Sequence, residues 1–285
     1  MLHLGITTSG PTFERMRSPL AERGIDVSYL DVTSQAIPIT DSQIAFDLPN
    51  VDIGYVYPSR VMEGDVTDTF LDIEWVNDRC AVLTSRNKAG VLAKSRYNGI
   101  PIPPSVLVSN PVEEEDLIDV WEQFDGPVVI KPNSTTRGVG VARADDLDSF
   151  LGISDYLELA HDYRATGDKS YLVQAFVPGA RDVRVMLIDG SYVGAVERRA
   201  PRAGGWKHNV HRGADAVGIE PADEVVSLAE TVAEMLSIPI LGVDILVTEY
   251  GPLLSETNAR PTIDAAEKYA PGFWDTLADA IRRRV

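Results

Sequence analysis

The chain has 285 residues, 44% of them hydrophobic and 24% charged, enough for two or three packed units of ordinary globular composition. A formal net charge of −17 argues against general binding to nucleic acid or to anionic membranes. The one cysteine, Cys80, excludes an intramolecular disulfide and a Cys-based metal centre.

Residues 1–5 carry neither a basic region nor a long apolar core, and no apolar run approaches membrane-spanning length. A protein of the reducing cytoplasm, with no membrane or nucleic-acid partner, is therefore expected. Lysine occurs only at 88, 94, 131, 169, 207 and 268. An acidic, Lys-poor composition resembles that of proteins from salt-loving organisms, with an acidic mesophilic protein as the plainer alternative.

Residues 2–8 read as a buried strand closed by Ser9-Gly10-Pro11, and a helix follows over 12–23, stopped by Gly24. Strands are expected at 25–32 and 51–57, a helix at 68–76 and a short strand at 80–84. This alternation implies a small parallel α/β layer. Gly10 lacks the glycine companions of a dinucleotide fingerprint, so no such site is read there. Ser85 is expected to cap a helix over 86–98, ended by Gly99 and Pro101, with Lys88 in its first turn. A domain boundary is placed near Ser85.

Val128-Val129-Ile130 is a short buried strand ended by Lys131-Pro132. Residues 133–140 are polar and then glycine-rich, and 141–143 resume extended structure. Strand, Gly/Ser/Thr loop and strand can wrap backbone N–H groups around phosphate oxygens, and a strand-terminal lysine can supply the point charge. No GK[ST] follows, so the loop is not of the Walker type; a hairpin turn is its plainer reading. Residues 171–177 form an apolar strand, and Asp189-Gly190 marks a hairpin between 183–188 and 192–196. Over 181–212 seven basic residues face three acidic ones, a local +4 that attracts anionic ligands unless it is merely a solvated face. Residues 222–236 make an amphipathic helix whose apolar stripe includes Val225, Leu228, Val232 and Leu236, and 269–284 a closing one.

The chain is organised around residues 241–262. Two apolar runs flank Glu249-Tyr250-Gly251, which has the length and late glycine of a three-residue hairpin loop. That loop sets Asp244 opposite Glu256, and period two puts Asn258 on the same face. Two carboxylates and an amide oxygen in an apolar setting call for a cation, and the all-oxygen set suits Mg²⁺ held partly through substrate phosphates.

In this order the pieces resemble the ATP-grasp superfamily and, within it, the RimK-type α-L-glutamate ligases. The likeness is carried by Lys88, KPNSTTRGVGV (131–141), VQAFVPGARDVRV (173–185), ERRAP (197–201), NVHRG (209–213), GVDIL (242–246) and SETNARP (255–261). It is close over 85–265 and covers the N-terminal α/β layer only in outline. The resemblance implies an α/β (α+β) ATP-grasp fold: an N-terminal parallel α/β pre-ATP-grasp domain (1–85), a central subdomain with a glycine-rich lid (86–170) and a C-terminal subdomain with the Mg and substrate site (171–285). It implies an ADP-forming carboxylate–amine ligase that joins L-glutamate to a protein C-terminus, a coenzyme tail or a small peptide through an acyl phosphate. A ligase for another amino acid, glutathione-synthetase-like, and a nucleotide-binding regulatory protein with reduced turnover stay open, as does homo-oligomerisation.

Carried over by position, the resemblance gives Lys88 and Lys131 to the ATP phosphates. Thr135, Thr136, Arg137, Gly138 and Gly140 would form the lid. The backbone of Gln174, Ala175, Phe176 and Val177 would meet adenine, and Asp182 the ribose. Asp244, Glu256 and Asn258 would hold two Mg²⁺, with Mn²⁺ as a substitute. Arg184, Arg199, Asn209 and Arg212 would position the acyl phosphate or the incoming amino acid. The chain departs from the family pattern at Thr135, where glycine is usual, at Ala175, where Glu is frequent, and at Ala259-Arg260-Pro261-Thr262, which adds an arginine.

Overall fold

A computed structural model describes residues 1–8, 10–33, 36–40, 48–135, 138–161, 168–199 and 215–285. Three sheets organise it. The first is parallel, in the order β2-β1-β3-β4, from β1 (Leu2–Ile6), β2 (Ile25–Tyr29), β3 (Ile53–Val56) and β4 (Glu74–Asn77). Helices α1 (Pro11–Ala21) and α2 (Val61–Leu71) make the crossovers. The second is antiparallel: β5 (Ser105–Ser109), β8 (Ser170–Ala175), β6 (Val128–Pro132) and β7 (Ala142–Ala144), in that spatial order, with α5 (Glu114–Trp121) and α6 (Leu147–His161). Strand β8 begins where the third domain is expected to start, yet pairs inside this middle sheet.

The third sheet runs β11-β10-β9-β12-β13, from β9 (Arg181–Ile188), β10 (Ser191–Arg199), β11 (Asp215–Ile219), β12 (Ile240–Thr248) and β13 (Gly251–Asn258). Helix α7 (Asp223–Leu236) packs on one face, burying Val225, Leu228, Ala229, Val232 and Leu236 against Val183, Val185, Leu241, Val243 and Ile245. Each buried Val, Leu or Ile here contributes roughly 1.5–3 kcal/mol. The opposite face is thereby left to line a cleft. A 3-10 turn (Ala266–Lys268) and α8 (Phe273–Arg282) close the chain, so the last helix starts only after Gly272. Among the described residues no helix is long and apolar enough to cross a membrane.

Two expectations before Ser85 are corrected. The helix expected at 68–76 splits: α2 ends at Leu71, Asp72 turns left-handed (φ 48°) and β4 follows. The strand expected at 80–84 is helix α3 (Arg79–Arg86). Asp78 caps it, accepting the Ala81 N–H at 2.7 Å, and Ala81, Val82 and Ser85 make its buried stripe. A five-residue apolar run is ambiguous by period alone, and the cap decides it. Ser85 therefore lies in the last turn of one helix, and Asn87 caps the next, α4 (Lys88–Tyr97), through the Gly90 N–H at 3.0 Å.

Asn77, fully buried at the end of β4, ties the first sheet to the third. Its Nδ2 donates to Ile240 O and Ala259 O, each at 2.6 Å, and its Oδ1 accepts the Ile240 N–H at 2.9 Å. Asn77→Ala would strand three buried backbone groups. A loss of about 3 kcal/mol or more is expected in urea unfolding, and an unchanged midpoint would show that the two sheets dock without it.

Candidate active site

Alternation along β9 and β12 sends Val183, Val185, Val243 and Ile245 to α7, so Asp182, Arg184 and Asp244 face the cleft. Arg184 lies opposite Asp244, Asp244 opposite Glu256, and Gly242 opposite Asn258. The two carboxylates and the amide share a face as expected, but by a different route. The hairpin loop is two residues, not three: Thr248 pairs with Gly251, and the extra residue is Ser255, bulged between Leu254 and Glu256. Gly251 has φ 117°, which a β-branched residue resists. Thr248 Oγ1 closes the turn, accepting the Tyr250 N–H at 3.0 Å and donating to Gly251 O at 2.8 Å.

Asp244 is 3% exposed and held by two arginines. Arg184 grips it in two-pronged fashion, Nε to Oδ1 at 2.6 Å and Nη2 to Oδ2 at 2.8 Å. Arg198 Nη2 sits 3.0 Å from Asp244 Oδ2 and 2.6 Å from Asp182 Oδ1, bridging the two acids. Burial alone would raise the Asp244 carboxyl, but the Arg184 and Arg198 guanidiniums outweigh it and hold it below the usual carboxylate range. Burial likewise disfavours the charge on Arg198, and Asp244 and Asp182 more than offset that. Glu256 is held more loosely, its Oε1 lying 3.7 Å from Lys88 Nζ with 34% of the side chain exposed.

The middle sheet faces this floor. Lys88, 5% exposed at the start of α4, donates Nζ to Asn133 O at 3.4 Å and to Thr135 O. Buried Asn133 fixes that corner, its Oδ1 accepting the Ala89 N–H at 2.9 Å and its Nδ2 donating to Asn87 Oδ1 at 3.1 Å. Lys131 donates to Gln174 Oε1 at 2.7 Å and reaches Ser255 Oγ at 3.4 Å. Burial pushes the Lys131 ammonium down; Glu256 opposes that and Lys88 reinforces it.

In the glycine-rich loop Thr135 Oγ1 donates to Val139 O at 2.9 Å, closing the turn with a side chain. Gly140 has φ 76°, and a Cβ there would come 2.7 Å from Pro132 Cγ. Thr136 and Arg137 lie outside the described residues. At the end of β8 the Ala175 N–H donates to Pro104 O and the Phe176 N–H to Pro127 O, both at 2.9 Å. Arg143 lies over the Phe176 ring, 4.1 Å from its centroid.

One cleft of about 1600 Å³ is lined by Lys88, Lys131, Thr135, Gly138, Gln174, Ala175, Phe176, Val177, Asp182, Arg184, Asp244, Glu256 and Asn258. Gly140 shapes the loop without lining it, and Asn209 and Arg212 lie outside the described residues. Arg199 is corrected. It sits on the other face of β10, 59% exposed and 3.4 Å from Glu197, while its neighbour Arg198 enters the cleft. The cause is a bulge: Tyr192 pairs with Leu187 but Gly194 with Met186, so Val193 is extra and every later side chain of β10 changes face. Gly194, isolated inside a strand, is the sequence signal that could have revealed it.

Asp244, Glu256 and Asn258 form the all-oxygen set that Mg²⁺ takes. Among the described residues no three His, Cys, Asp or Glu side chains cluster. An ion here would draw on two carboxylates, an amide oxygen and ligands from outside the chain, such as phosphate oxygens. Asp244 keeps room for it: a carboxylate has about four lone-pair sites, and the two arginines take three. Asn258 Oδ1 accepts only the Arg260 N–H, at 2.8 Å, among the bonds described. The donor set fits the ion.

This three-sheet arrangement is an ATP-grasp fold. A solved RimK domain protein of that fold, from Sphaerobacter thermophilus, superposes with a TM-score of 0.68 at 17% identity, covering 98% of this chain and 99% of the other. Residues 85–272 match the model of the RimK-like ATP-grasp domain, and the chain belongs to that family. A probable alpha-L-glutamate ligase of Legionella pneumophila (strain Corby) is 31% identical over 195 residues, covering 68% of this chain and 61% of that protein. The ribosomal protein bS6–L-glutamate ligase of Escherichia coli O139:H28 is 29% identical over 204 residues, covering 68% and 62%. The chain thus spans about three fifths of the length of these relatives.

Proposed function

We propose that this chain is an ATP- and Mg²⁺-dependent carboxylate–amine ligase that adds L-glutamate to an acceptor carboxylate. The observation that carries the reading is the convergence of Lys88, Lys131, Asp244, Glu256 and Asn258 on one cleft with the end of β8. In the reaction an acceptor carboxylate oxygen bonds to the terminal phosphorus of ATP and ADP leaves. The amine of the amino acid then bonds to the acyl carbon, loses a proton, and phosphate leaves. Such chemistry asks mainly for alignment and charge neutralisation.

Lys88 and Lys131 supply point charges to the phosphates, and the glycine-rich segment that includes Thr135, Gly138 and Gly140 is assigned to cover them. The backbone at Gln174, Ala175, Phe176 and Val177 takes the adenine. Among the described residues the Val177 N–H meets no chain acceptor. Asp182 is assigned to the ribose, although Arg198 engages it here. Asp244, Glu256 and Asn258 would hold Mg²⁺, which neutralises phosphate charge when bound. Arg184 orients Asp244. The names of the Legionella and Escherichia relatives favour glutamate as the amino acid. A protein C-terminus, a coenzyme tail and a small peptide are the acceptor classes, and a reducing cytoplasm is the setting.

The test is incubation of the purified protein with ATP, Mg²⁺, each amino acid and a cell extract as acceptor source. ADP and a new glutamyl amide, read by mass, are expected. ATP binding without ADP under any combination would favour the regulatory reading instead.

A further inference from the structure

Lys131 is held by side chains from two sheets, Gln174 Oε1 at 2.7 Å and Ser255 Oγ at 3.4 Å. An ammonium has three donors, so these two bonds leave one for a phosphate oxygen. Both holders are braced by the proline-rich connector at 101–104, which joins α4 to β5. Pro101 O accepts the Leu254 N–H at 2.9 Å, next to the bulged Ser255. Pro104 O accepts the Ala175 N–H at 2.9 Å, next to Gln174. One stiff segment therefore grips β13 and β8 beside each partner of the lysine.

The buried Gln174 side chain belongs to a longer relay. Gln174 lies opposite both Ser105 of β5 and Val129 of β6, and alternation puts Lys131 on the same face as Val129. Gln174 Nε2 donates to Ser105 Oγ at 3.0 Å, and Ser105 Oγ donates to Pro103 O at 2.8 Å. The direction of the relay is set at its far end. A carbonyl has no proton to give, so the Ser105 hydroxyl points its one hydrogen at Pro103 and turns a lone pair to Gln174. Only the Nε2 end of the amide can meet that lone pair, which leaves the acceptor Oε1 facing the ammonium. A flipped amide would set donor against donor at Lys131 and acceptor against acceptor at Ser105.

We propose that Gln174 and Ser105 are positioning residues for Lys131: the Ser105 hydroxyl fixes the Gln174 amide, and the amide holds Nζ where a phosphate oxygen of the nucleotide meets it. This rests on the assignment of Lys131 to the phosphates and gives a function to two side chains that act through the lysine.

Isothermal titration of the purified protein with ATP in the presence of Mg²⁺, and separately with adenosine, tests it. Adenosine keeps the base and ribose and lacks the phosphates. Lys131→Met should weaken ATP binding by about tenfold or more and leave adenosine within about twofold. Gln174→Leu should weaken ATP binding about fivefold and Ser105→Ala about threefold, with adenosine again unchanged. Ser105→Thr keeps a hydroxyl there and should retain the native affinity. On the Lys131→Met background neither substitution should weaken ATP binding by more than about 1.5-fold, because the ammonium they position is gone. If Gln174→Leu fails to fold, Ser105→Ala carries the test, since that side chain is only partly buried. Equal losses for ATP and adenosine, or losses that add in full to that of Lys131→Met, mean a merely structural role and overturn the relay. Native ATP affinity in Gln174→Leu and Ser105→Ala, beside a weakened Lys131→Met, also overturns it and leaves the phosphate assignment standing. Native affinity in Lys131→Met sinks the phosphate assignment and the relay with it. The ligase reading is tested apart from this, by ADP and amide formation, which the titration does not use.

Discussion

Arg198→Lys is expected to lower ADP formation by about tenfold to a thousandfold, roughly 1.4–4 kcal/mol of barrier, while Arg199→Lys stays within about twofold. The two arginines are adjacent in sequence and opposite in consequence. Arg198 has 10% of its side chain exposed and spans Asp182 and Asp244 at 2.6 and 3.0 Å. Arg198 holds Asp182 through Nε and Nη2 while the same Nη2 reaches Asp244; a lysine ammonium lacks that fixed planar spacing of donors and cannot keep all three contacts in place. Losing the bridge frees Asp244 to shift, and alignment is most of what phosphoryl transfer asks of the protein. Arg199 has 59% of its side chain in solvent and pairs with Glu197, a contact of small worth. Steady-state ADP formation at saturating ATP separates the two. Normal kinetics for Arg198→Lys would mean that its bridge only holds the sheet together.

That pair shows where the sequence could be read and where it could not. Hydrophobic period and turn residues make both hairpins of the third sheet visible, and Asp189-Gly190 does take positive φ at both positions, 48° and 79°. Face assignment is more fragile, because one extra residue inverts it. In β9–β10 the bulge at Val193 moves Arg198 into the cleft and Arg199 out. In β12–β13 the loop is one residue shorter than expected, and the bulge at Ser255 restores the pairing of Asp244 with Glu256. The second expectation holds through two compensating departures. A glycine in a strand is the only local trace of the first bulge, and Ser255 leaves none.

Contacts between sheets are less legible still. Nothing near Asn77 in the chain announces that it bonds residues 163 and 182 positions away. The same is true of Arg260, whose partners Thr8 and Tyr57 lie just past strands β1 and β3 of the first sheet. Lys88 looks like an ordinary first-turn lysine by spacing. Only the fold brings it to Asn133, Thr135 and Glu256. Residues whose roles depend on alternation within one hairpin are therefore accessible from sequence only where no bulge inverts the face, and those that depend on sheet docking are not.

The two carboxylates of the proposed metal site are expected to part company when neutralised one at a time. Viewed as a bare acidic pair, either could be removed without harm to the fold. The structure changes that for Asp244, because Arg184 and Arg198 are packed around its charge. Asp244→Asn leaves two largely buried guanidiniums short of their counter-ion, at a cost of about 3–5 kcal/mol. Glu256→Gln breaks a 3.7 Å pair that is open to solvent on one side, and should cost about 1 kcal/mol or less. Both should lower Mg²⁺-dependent ADP formation by about a hundredfold or more, on the scale of losing one preorganised electrostatic group. The pH dependence follows from the sign of the shift. The folded Asp244 carboxyl lies below its unfolded value, so its stabilisation is complete above the ordinary carboxyl range and is lost as pH falls towards the folded value. The stability gap between native protein and Asp244→Asn should therefore be widest near neutral pH and shrink below about pH 4. Urea titrations at several pH values check both claims. A gap that is absent at neutral pH would show that the arginines do not depend on Asp244, and the two-acid floor would then lack the charge balance that keeps it in place before any metal binds.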